Sequence, residues 1–255
     1  MSSGRGGTSV LTANERSAVP RHMALILDGN RRWATVHGRT ASEGHEAGFS
    51  RVPEVLRWCD DLGVETVTLW LLSTDNLRRD PAEVDALMRI ITDLVNGLAA
   101  SDRWRLRHRG VRAMVPEPLL TALDEVTART TDNTGMRVNL AICYGGREEV
   151  TEACRELLKG YAHEGLSPAE AARRVTAETV TEAIAADDPA PELVVRTSGE
   201  QRSSGFLLWT ARHAEHYFTT TYWPDFGYDD LKAALTHYER RSRGRLPVTP
   251  DSRAT

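Results

Sequence analysis

Arginine, asparagine and carboxylate side chains recur in this sequence just after short apolar segments. Asp28 directly follows the apolar residues 23–27 and opens the segment Asp-Gly-Asn-Arg-Arg. Seven arginines stand in or close to such segments, namely Arg31, Arg32, Arg39, Arg78, Arg79, Arg196 and Arg202. A guanidinium group donates paired hydrogen bonds to phosphate oxygens. The pattern predicts two phosphate sites, although any single arginine could equally be an ordinary surface charge.

Asp28 and Glu215 are the carboxylates that we assign to a metal. Mg²⁺ typically takes one or two carboxylates and completes its shell with diphosphate oxygens and water. Two alternatives stay open, since Asp28 could cap a helix or form an Asx turn and Glu215 could be an exposed acid. His213 and His216 flank Glu215 but lack the further ligands that a zinc site needs.

His45 and Asn76 are candidates for positioning a substrate or moving a proton. Other familiar phosphate motifs are absent, because neither G-x-x-x-x-G-K-[ST] nor a G-x-G-x-x-G after the first predicted strand occurs. The Asp pairs at 60–61, 187–188 and 229–230 also lack the third Asp of a D-D-x-x-D motif. The residues alone therefore indicate an α/β enzyme that handles phosphorylated ligands with Mg²⁺.

Strand-like and helix-like apolar patterns alternate along the chain and would position these residues. Strands are predicted at residues 23–27, 64–72, 111–115, 138–144, 193–195 and 206–209. Helical spacing follows Phe49, and Asp80-Pro81 is typical of a helix start before a long apolar face. Further helices are expected at 119–126, 150–158, after Ser167 and at 231–238. The alternation predicts one α/β domain with a mostly parallel sheet, helices on both faces and ligands beyond the carboxyl ends of the strands.

Composition narrows the class of protein further. The net charge of −4 over 255 residues disfavours a nucleic-acid partner. The three cysteines form no C-x-x-C pair, and no apolar segment approaches the roughly 18 residues of a membrane span. We expect a cytoplasmic protein with disordered tails at 1–18 and 246–255 around a domain at 19–245.

Seven ordered segments resemble the cis-prenyltransferases, the family typified by undecaprenyl diphosphate synthase. They are HMALILDGNRRW (22–33), GHEAG (44–48), LSTDN (72–76), YGGREE (144–149), VRTSGEQR (195–202), FLLW (206–209) and YWPDF (222–226). The resemblance implies a homodimeric, Mg²⁺-dependent enzyme with an apolar prenyl tunnel. It would condense isopentenyl diphosphate with an allylic prenyl diphosphate and leave the new double bond in the Z configuration.

The resemblance also implies roles for individual residues. Asp28 would be the essential acid and bind Mg²⁺ with Glu215, and Asn76 would accept a proton. The allylic diphosphate would contact Gly29, Asn30, Arg31, Arg32, Trp33, Arg39, His45 and Arg79. Ser73, Thr74, Asp75 and Leu77 would lie beside Asn76. The isopentenyl diphosphate would contact Arg196, Arg202, Ser203 and Ser204.

Several positions depart from the family pattern. Ala41 replaces an arginine, Leu77 an aromatic residue and His213 a tyrosine, which suggests altered substrate choice. Leu71 stands where long-chain members usually carry a small residue, so we expect a short product such as Z,E-farnesyl diphosphate from geranyl diphosphate. Plain core packing of Leu71, a long-chain decaprenyl or undecaprenyl synthase, a non-catalytic subunit and peripheral membrane contact stay open.

Overall fold

A six-stranded parallel sheet forms the centre of this computed structural model, which describes residues 19–185 and 188–243. Its strands are β1 (His22–Ile26), β2 (Thr66–Ser73), β3 (Arg105–Arg109), β4 (Arg137–Tyr144), β5 (Leu193–Arg196) and β6 (Glu215–Phe218). They lie in the order β3-β4-β2-β1-β5-β6, and every neighbouring pair is parallel. All carboxyl ends therefore meet at one edge of the sheet.

Eight α-helices within the described residues connect and cover these strands. They are α1 (Asn30–Val36), α2 (Ala41–Asp61), α3 (Pro81–Ala100), α4 (Glu117–Arg129), α5 (Gly146–His163), α6 (Pro168–Arg174), α7 (Ala177–Ala185) and α8 (Tyr228–Ser242). Thr40 and Glu43 form a reciprocal capping box at the start of α2, and the Asp80 carboxylate accepts from the Ala82 and Glu83 amides at the start of α3. The predicted α/β domain with a mostly parallel sheet and helices on both faces is confirmed.

The two faces of the sheet bury different sets of side chains. Met23 and Leu25 of β1 join the larger core, which includes the apolar sides of α2, α3, α4 and α8. Ala24 and Ile26 point to the opposite face, where Phe206 and Leu207 pack against Tyr144. This alternation follows from the period of two along a strand.

Two predicted strands are wrong. Residues 112–114 form a short 3-10 turn, and the strand lies earlier, at Arg105–Arg109, where only Leu106 of the five is buried. An edge strand rich in arginine carries little apolar signal, which explains the error. Residues 206–209 form a turn, and the last strand is Glu215–Phe218. The apolar side chains of Phe206 and Leu207 are buried by this turn instead of by a strand.

The predicted tails lie outside the described residues, and so do the last two residues of the predicted domain. Across the described ranges, no helix combines the length and the apolar character needed to cross a membrane.

Candidate active site

A cavity of about 620 Å³ opens at the carboxyl edge of the sheet. Its polar lining consists of Asp28, Gly29, Asn30, Arg31, Arg32, Thr35, His45, Ser73, Asp75, Asn76, Arg79, Arg196 and Ser204. Its apolar lining consists of Ile26, Leu27, Phe49, Trp70, Leu71 and Leu87. Clefts of this size commonly hold small ligands. The lining suits a ligand with an anionic head and an apolar tail.

Asp28 and Arg196 meet because β1 and β5 are neighbours in the sheet. Ile26 pairs with Arg196 across these strands, so both chains leave the sheet at the same level. The Arg196 guanidinium is buried and donates to Asp28 Oδ2 at 3.0 Å through Nη2. Its Nη1 donates to Ser204 Oγ at 2.8 Å, while its buried Nε has no hydrogen-bond partner among the described residues. Buried donors are rarely left unpaired, so this one is available to an anion.

Arg32 forms a second cationic group on the other side of Asp28. Its Nη1 donates to the Ser198 carbonyl at 3.2 Å, and its Nη2 lies 3.6 Å from Asp28 Oδ1. Gly29 makes this approach possible, with a backbone φ of +108°. A Cβ at Gly29 would lie 2.9 Å from both Ser198 Cβ and Tyr222 Cδ1, so only glycine fits there.

Glu83 gathers three of the predicted allylic-site residues, although the sequence analysis did not select it as a site residue. Its Oε1 accepts from Arg79 at 3.0 Å, lies 3.4 Å from His45 Nε2 and lies 3.9 Å from Arg31 Nε. Burial lowers the pKa of His45, and its Nδ1 is buried without a partner among the described residues. Glu83 lies in the first turn of α3, whose N-terminus is capped by Asp80.

Asn76 lines the cavity and is hydrogen-bonded to Ser73 through both its side chain and its backbone. A 3-10 turn covers Thr74–Arg78, in which Ser73 N donates to Asn76 Oδ1 and Asn76 N donates to Ser73 Oγ, each at 3.1 Å. Because the side-chain oxygen is already engaged with the backbone, the amide nitrogen is the better candidate for contact with a ligand.

Buried apolar side chains from three elements line the rest of the cavity. Phe49 comes from α2, Leu71 from β2 and Leu87 from α3, and all three belong to the larger core. Trp70 leaves β2 on the opposite face and stacks on Phe206 at a centroid distance of 4.8 Å. Leu71 therefore lies in the apolar wall of the cavity.

Seven predicted site residues do not line this cavity, namely Trp33, Arg39, Thr74, Leu77, Arg202, Ser203 and Glu215. Most are engaged elsewhere, since Trp33 Nε1 donates to Asp225 at 2.8 Å and Arg202 pairs with Glu200 at 2.5 Å. Arg39 pairs with Glu43 at 3.8 Å. The Arg202 carbonyl nevertheless accepts from Arg196, so its backbone belongs to the site.

Glu215 is the clearest departure from the expected arrangement. Glu215 starts β6 and is the neighbour of Leu193 at the start of β5. Arg196 is the last residue of β5, and Asp28 follows the end of β1, so both lie at the opposite edge of the sheet. Arg241 donates to its carboxylate at 3.1 Å. Within one described chain, Asp28 and Glu215 are therefore not brought together as two ligands of one metal.

The residues at Asp28 fit a metal bound mainly through a substrate. Residues 19–185 and 188–243 contain no group of three or more His, Cys, Asp and Glu side chains that could hold a metal ion alone. Asp28 supplies one half-buried carboxylate beside free space and cationic donors. Mg²⁺ commonly completes such a site with phosphate oxygens and water.

The fold and cavity define an α/β protein whose cationic sheet edge adjoins a buried apolar slot. The family profile described as "Putative undecaprenyl diphosphate synthase" matches residues 26–245. The chain belongs to this family of prenyltransferases, as the seven sequence segments predicted.

Known relatives cover most of the chain. Isoprenyl transferase 1 of Streptomyces avermitilis is 42% identical over 230 residues, which cover 90% of both chains. The (2Z,6E)-farnesyl diphosphate synthase of Mycolicibacterium smegmatis is 41% identical over 232 residues, covering 89% of this chain and 88% of that protein. The crystal structure of lavandulyl diphosphate synthase from Lavandula x intermedia in complex with dimethylallyl diphosphate has a TM-score of 0.80 and 33% identity, covering 88% of this chain and 96% of that one.

Proposed function

We propose that this protein condenses isopentenyl diphosphate with an allylic prenyl diphosphate and forms a short Z-prenyl diphosphate. The observation that carries the proposal is one cavity that is lined both by the cationic side chains of Arg32, Arg79 and Arg196 and by the buried apolar side chains of Phe49, Leu71 and Leu87. The similarity to a (2Z,6E)-farnesyl diphosphate synthase supports geranyl diphosphate as the primer and a C15 product.

The two groups of donors are proposed to hold the two diphosphates. Arg32, His45 and Arg79 stand on α1, α2 and the loop before α3, and would hold the allylic diphosphate. Arg196 and Ser204 would hold the isopentenyl diphosphate through the unpaired Nε and the Ser204 hydroxyl. Asp28 lies between them, within hydrogen-bonding or ion-pair distance of both Arg196 and Arg32.

This arrangement would favour departure of the allylic diphosphate. The carbon–oxygen bond breaks with its electron pair on the diphosphate, and the double bond of isopentenyl diphosphate forms the new carbon–carbon bond. A proton then passes from the former isopentenyl unit to an oxygen of the released diphosphate. Fixed cationic donors stabilise the charge that develops on the leaving group.

Mg²⁺ would be held by Asp28 and by diphosphate oxygens, where it would neutralise negative charge and supply Lewis-acid assistance. Asn76 is proposed to orient the reacting diphosphates through its amide nitrogen, because its oxygen accepts from Ser73. Proton acceptance by Asn76 itself is a weaker hypothesis, because an amide is a poor base and its oxygen is occupied.

A condensation assay with the full chain tests the proposed function. The chain is incubated with labelled isopentenyl diphosphate and either dimethylallyl, geranyl or farnesyl diphosphate, with Mg²⁺ or with excess EDTA. We expect diphosphate release coupled to labelled prenyl product, abolished by EDTA. Absence of condensation with all three primers would contradict the proposal and favour a non-catalytic subunit.

A homodimer, which the family resemblance implies, and a cytoplasmic location, which the cysteine content favours, also belong to the proposal. Analytical ultracentrifugation of the full chain should give a dimer mass. Cell fractionation should place the protein in the cytoplasm, and vesicle flotation would reveal any peripheral membrane contact.

A further inference from the structure

Tyr144 ends β4 on the same face of the sheet as Ala24 and Ile26. The residue is fully buried, and its ring packs edge-on against Trp70 and Phe206 at centroid distances of 6.2 and 5.7 Å. It does not line the cavity at the sheet edge. Its hydroxyl donates to Glu149 Oε2 at 2.6 Å and accepts from the Leu207 amide at 3.1 Å.

The Leu207 amide belongs to a turn with an unusual backbone. Phe206 N donates to the Ser203 carbonyl at 2.9 Å, and Ser204 and Leu207 have φ values of +50° and +47°. Side-chain-bearing residues adopt this left-handed conformation only where their surroundings fix it. The Tyr144 hydroxyl supplies one such fixed contact at the buried end of the turn.

The exposed end of the same turn reaches the proposed isopentenyl site. Ser204 Oγ accepts from Arg196 Nη1 at 2.8 Å, and the Arg202 carbonyl accepts from the same nitrogen at 2.5 Å. Arg196 in turn donates to Asp28. Displacement of the turn would therefore move two acceptors that orient the Arg196 guanidinium.

The start of α5 fits closely against this turn. A Cβ at Gly146 would lie 2.1 Å from the Gly205 carbonyl oxygen and 2.7 Å from Leu208 Cβ. Glu149, one turn further along α5, is held by Arg109 Nη2 at 3.0 Å. Burial raises the pKa of the Tyr144 hydroxyl, which therefore stays protonated and keeps donating to Glu149.

We propose that Tyr144 is a positioning residue for isopentenyl diphosphate, which it affects through the turn at Ser203–Leu207 and Arg196 without touching substrate. This inference rests on the proposed function of Arg196. It also gives a role to the Tyr-Gly-Gly segment at the end of β4, none of whose residues lines the cavity.

Tyr144→Phe tests the inference because it removes the hydroxyl and keeps the buried ring. We expect the KM for isopentenyl diphosphate to rise about fivefold to tenfold, as one neutral hydrogen bond to the turn is lost. The KM for the allylic primer should change less than about twofold, because Arg32 and Arg79 do not contact the turn. Tyr161→Phe is the matched control, since its buried hydroxyl donates to the Arg174 carbonyl at 3.2 Å far from the turn.

A second pair of variants displaces the turn by another route. Gly146→Ala should push the Gly205 carbonyl away and give the same selective rise in the KM for isopentenyl diphosphate. Gly160→Ala lies on the same helix with open space around its Cβ and should leave both KM values unchanged. Equal rises for both substrates in Tyr144→Phe and Gly146→Ala, or no rise in either, would overturn the inference.

Hydrogen exchange provides a readout that does not depend on turnover. The peptide containing the Leu207 amide should exchange faster in Tyr144→Phe than in the wild type, while peptides of α2 and α3 should not change. Unchanged exchange at Leu207 would overturn the positioning role. If the wild type condenses none of the primers, the proposed function is contradicted instead. The exchange result would then still test the role of Tyr144 in fixing the turn.

Discussion

At the residue scale, Asp28 and Arg196 are the pair on which the site depends. The sequence predicted both, because each directly follows or ends an apolar strand and their segments match a known family pattern. The sequence did not predict that Arg196 would be buried with an unpaired Nε. The orientation of its guanidinium depends on two contacts of Nη1, with Ser204 and with the Arg202 carbonyl, which no local pattern reveals. Glu83 was missed because its neighbours in space, Arg79 and His45, are distributed over two elements.

Asp28→Asn should fold normally and lose turnover by about 10²–10³-fold, because one preorganised electrostatic group in a transition state is commonly worth that much. Replacing the carboxylate by an amide keeps the shape of the side chain and removes the negative charge that faces Arg196 and Arg32. Asp124→Asn is the control, since Asp124 is exposed and pairs with Arg112 far from the cavity. Steady-state turnover above about a tenth of wild type in Asp28→Asn would contradict the role of the carboxylate.

Glu83→Gln should weaken the allylic site selectively. Loss of the charge shared by Arg79, His45 and Arg31 should raise the KM for the allylic primer about fivefold, in line with one charge-assisted contact. The KM for isopentenyl diphosphate should stay constant. Glu54→Gln, which breaks the Glu54–Arg51 pair on α2, serves as control. A primer KM that does not move would show that Glu83 has no part in ordering these cations.

At the element scale, the buried wall of the cavity is formed by β2, α2 and α3. The sequence predicted these elements well, since Asp80-Pro81 and the apolar periodicity of α3 are strong local signals. The edge strands β3 and β6 were misplaced because one face of each is only partly buried and their apolar content is low. Such strands are specified by pairing with β4 and β5 more than by their own residues.

Leu71→Ala should lengthen the prenyl product by opening the apolar wall beside Phe49 and Leu87. It should also cost about 2–5 kcal/mol of stability, which is typical of a buried Leu→Ala change. Leu69→Ala is a matched control on the same strand and face, fully buried but not lining the cavity. Product length is measured by mass spectrometry with excess isopentenyl diphosphate. Equal product distributions in the two variants would show that Leu71 packs in the core and does not set product length.

At the scale of the whole molecule, buried polar side chains join β1 to β2, to β4 and to the segment before β5. His22 Nδ1 lies 2.7 Å from the Pro189 carbonyl, and its Nε2 lies 2.8 Å from Thr68 Oγ1. Asp188 accepts from Asn139 at 2.8 Å and lies 3.5 Å from Arg137. These partners are separated by up to 167 positions in the sequence, so local patterns could not predict them.

His22 should make stability depend on pH. Burial lowers its pKa to about 4, so the unfolded chain, with an ordinary histidine, binds the proton more readily. Neutral, buried His22 contributes roughly 3 kcal/mol to the free energy of unfolding. This contribution is full above about pH 6.5 and is lost as the pH falls toward about 4. His22→Gln should be less stable at neutral pH but lose less stability on acidification. Urea unfolding at several pH values measures this, and parallel curves for variant and wild type would contradict it.

The chain length and geometry of the product test the central claim most directly. The wild-type chain is incubated with Mg²⁺, geranyl diphosphate and excess isopentenyl diphosphate, and the dephosphorylated product is compared with authentic farnesol isomers by chromatography and mass spectrometry. The account predicts a C15 product whose newly formed double bond is Z. A product with an E double bond, or a main product beyond about C35, would contradict the account of a short apolar slot closed by Leu71.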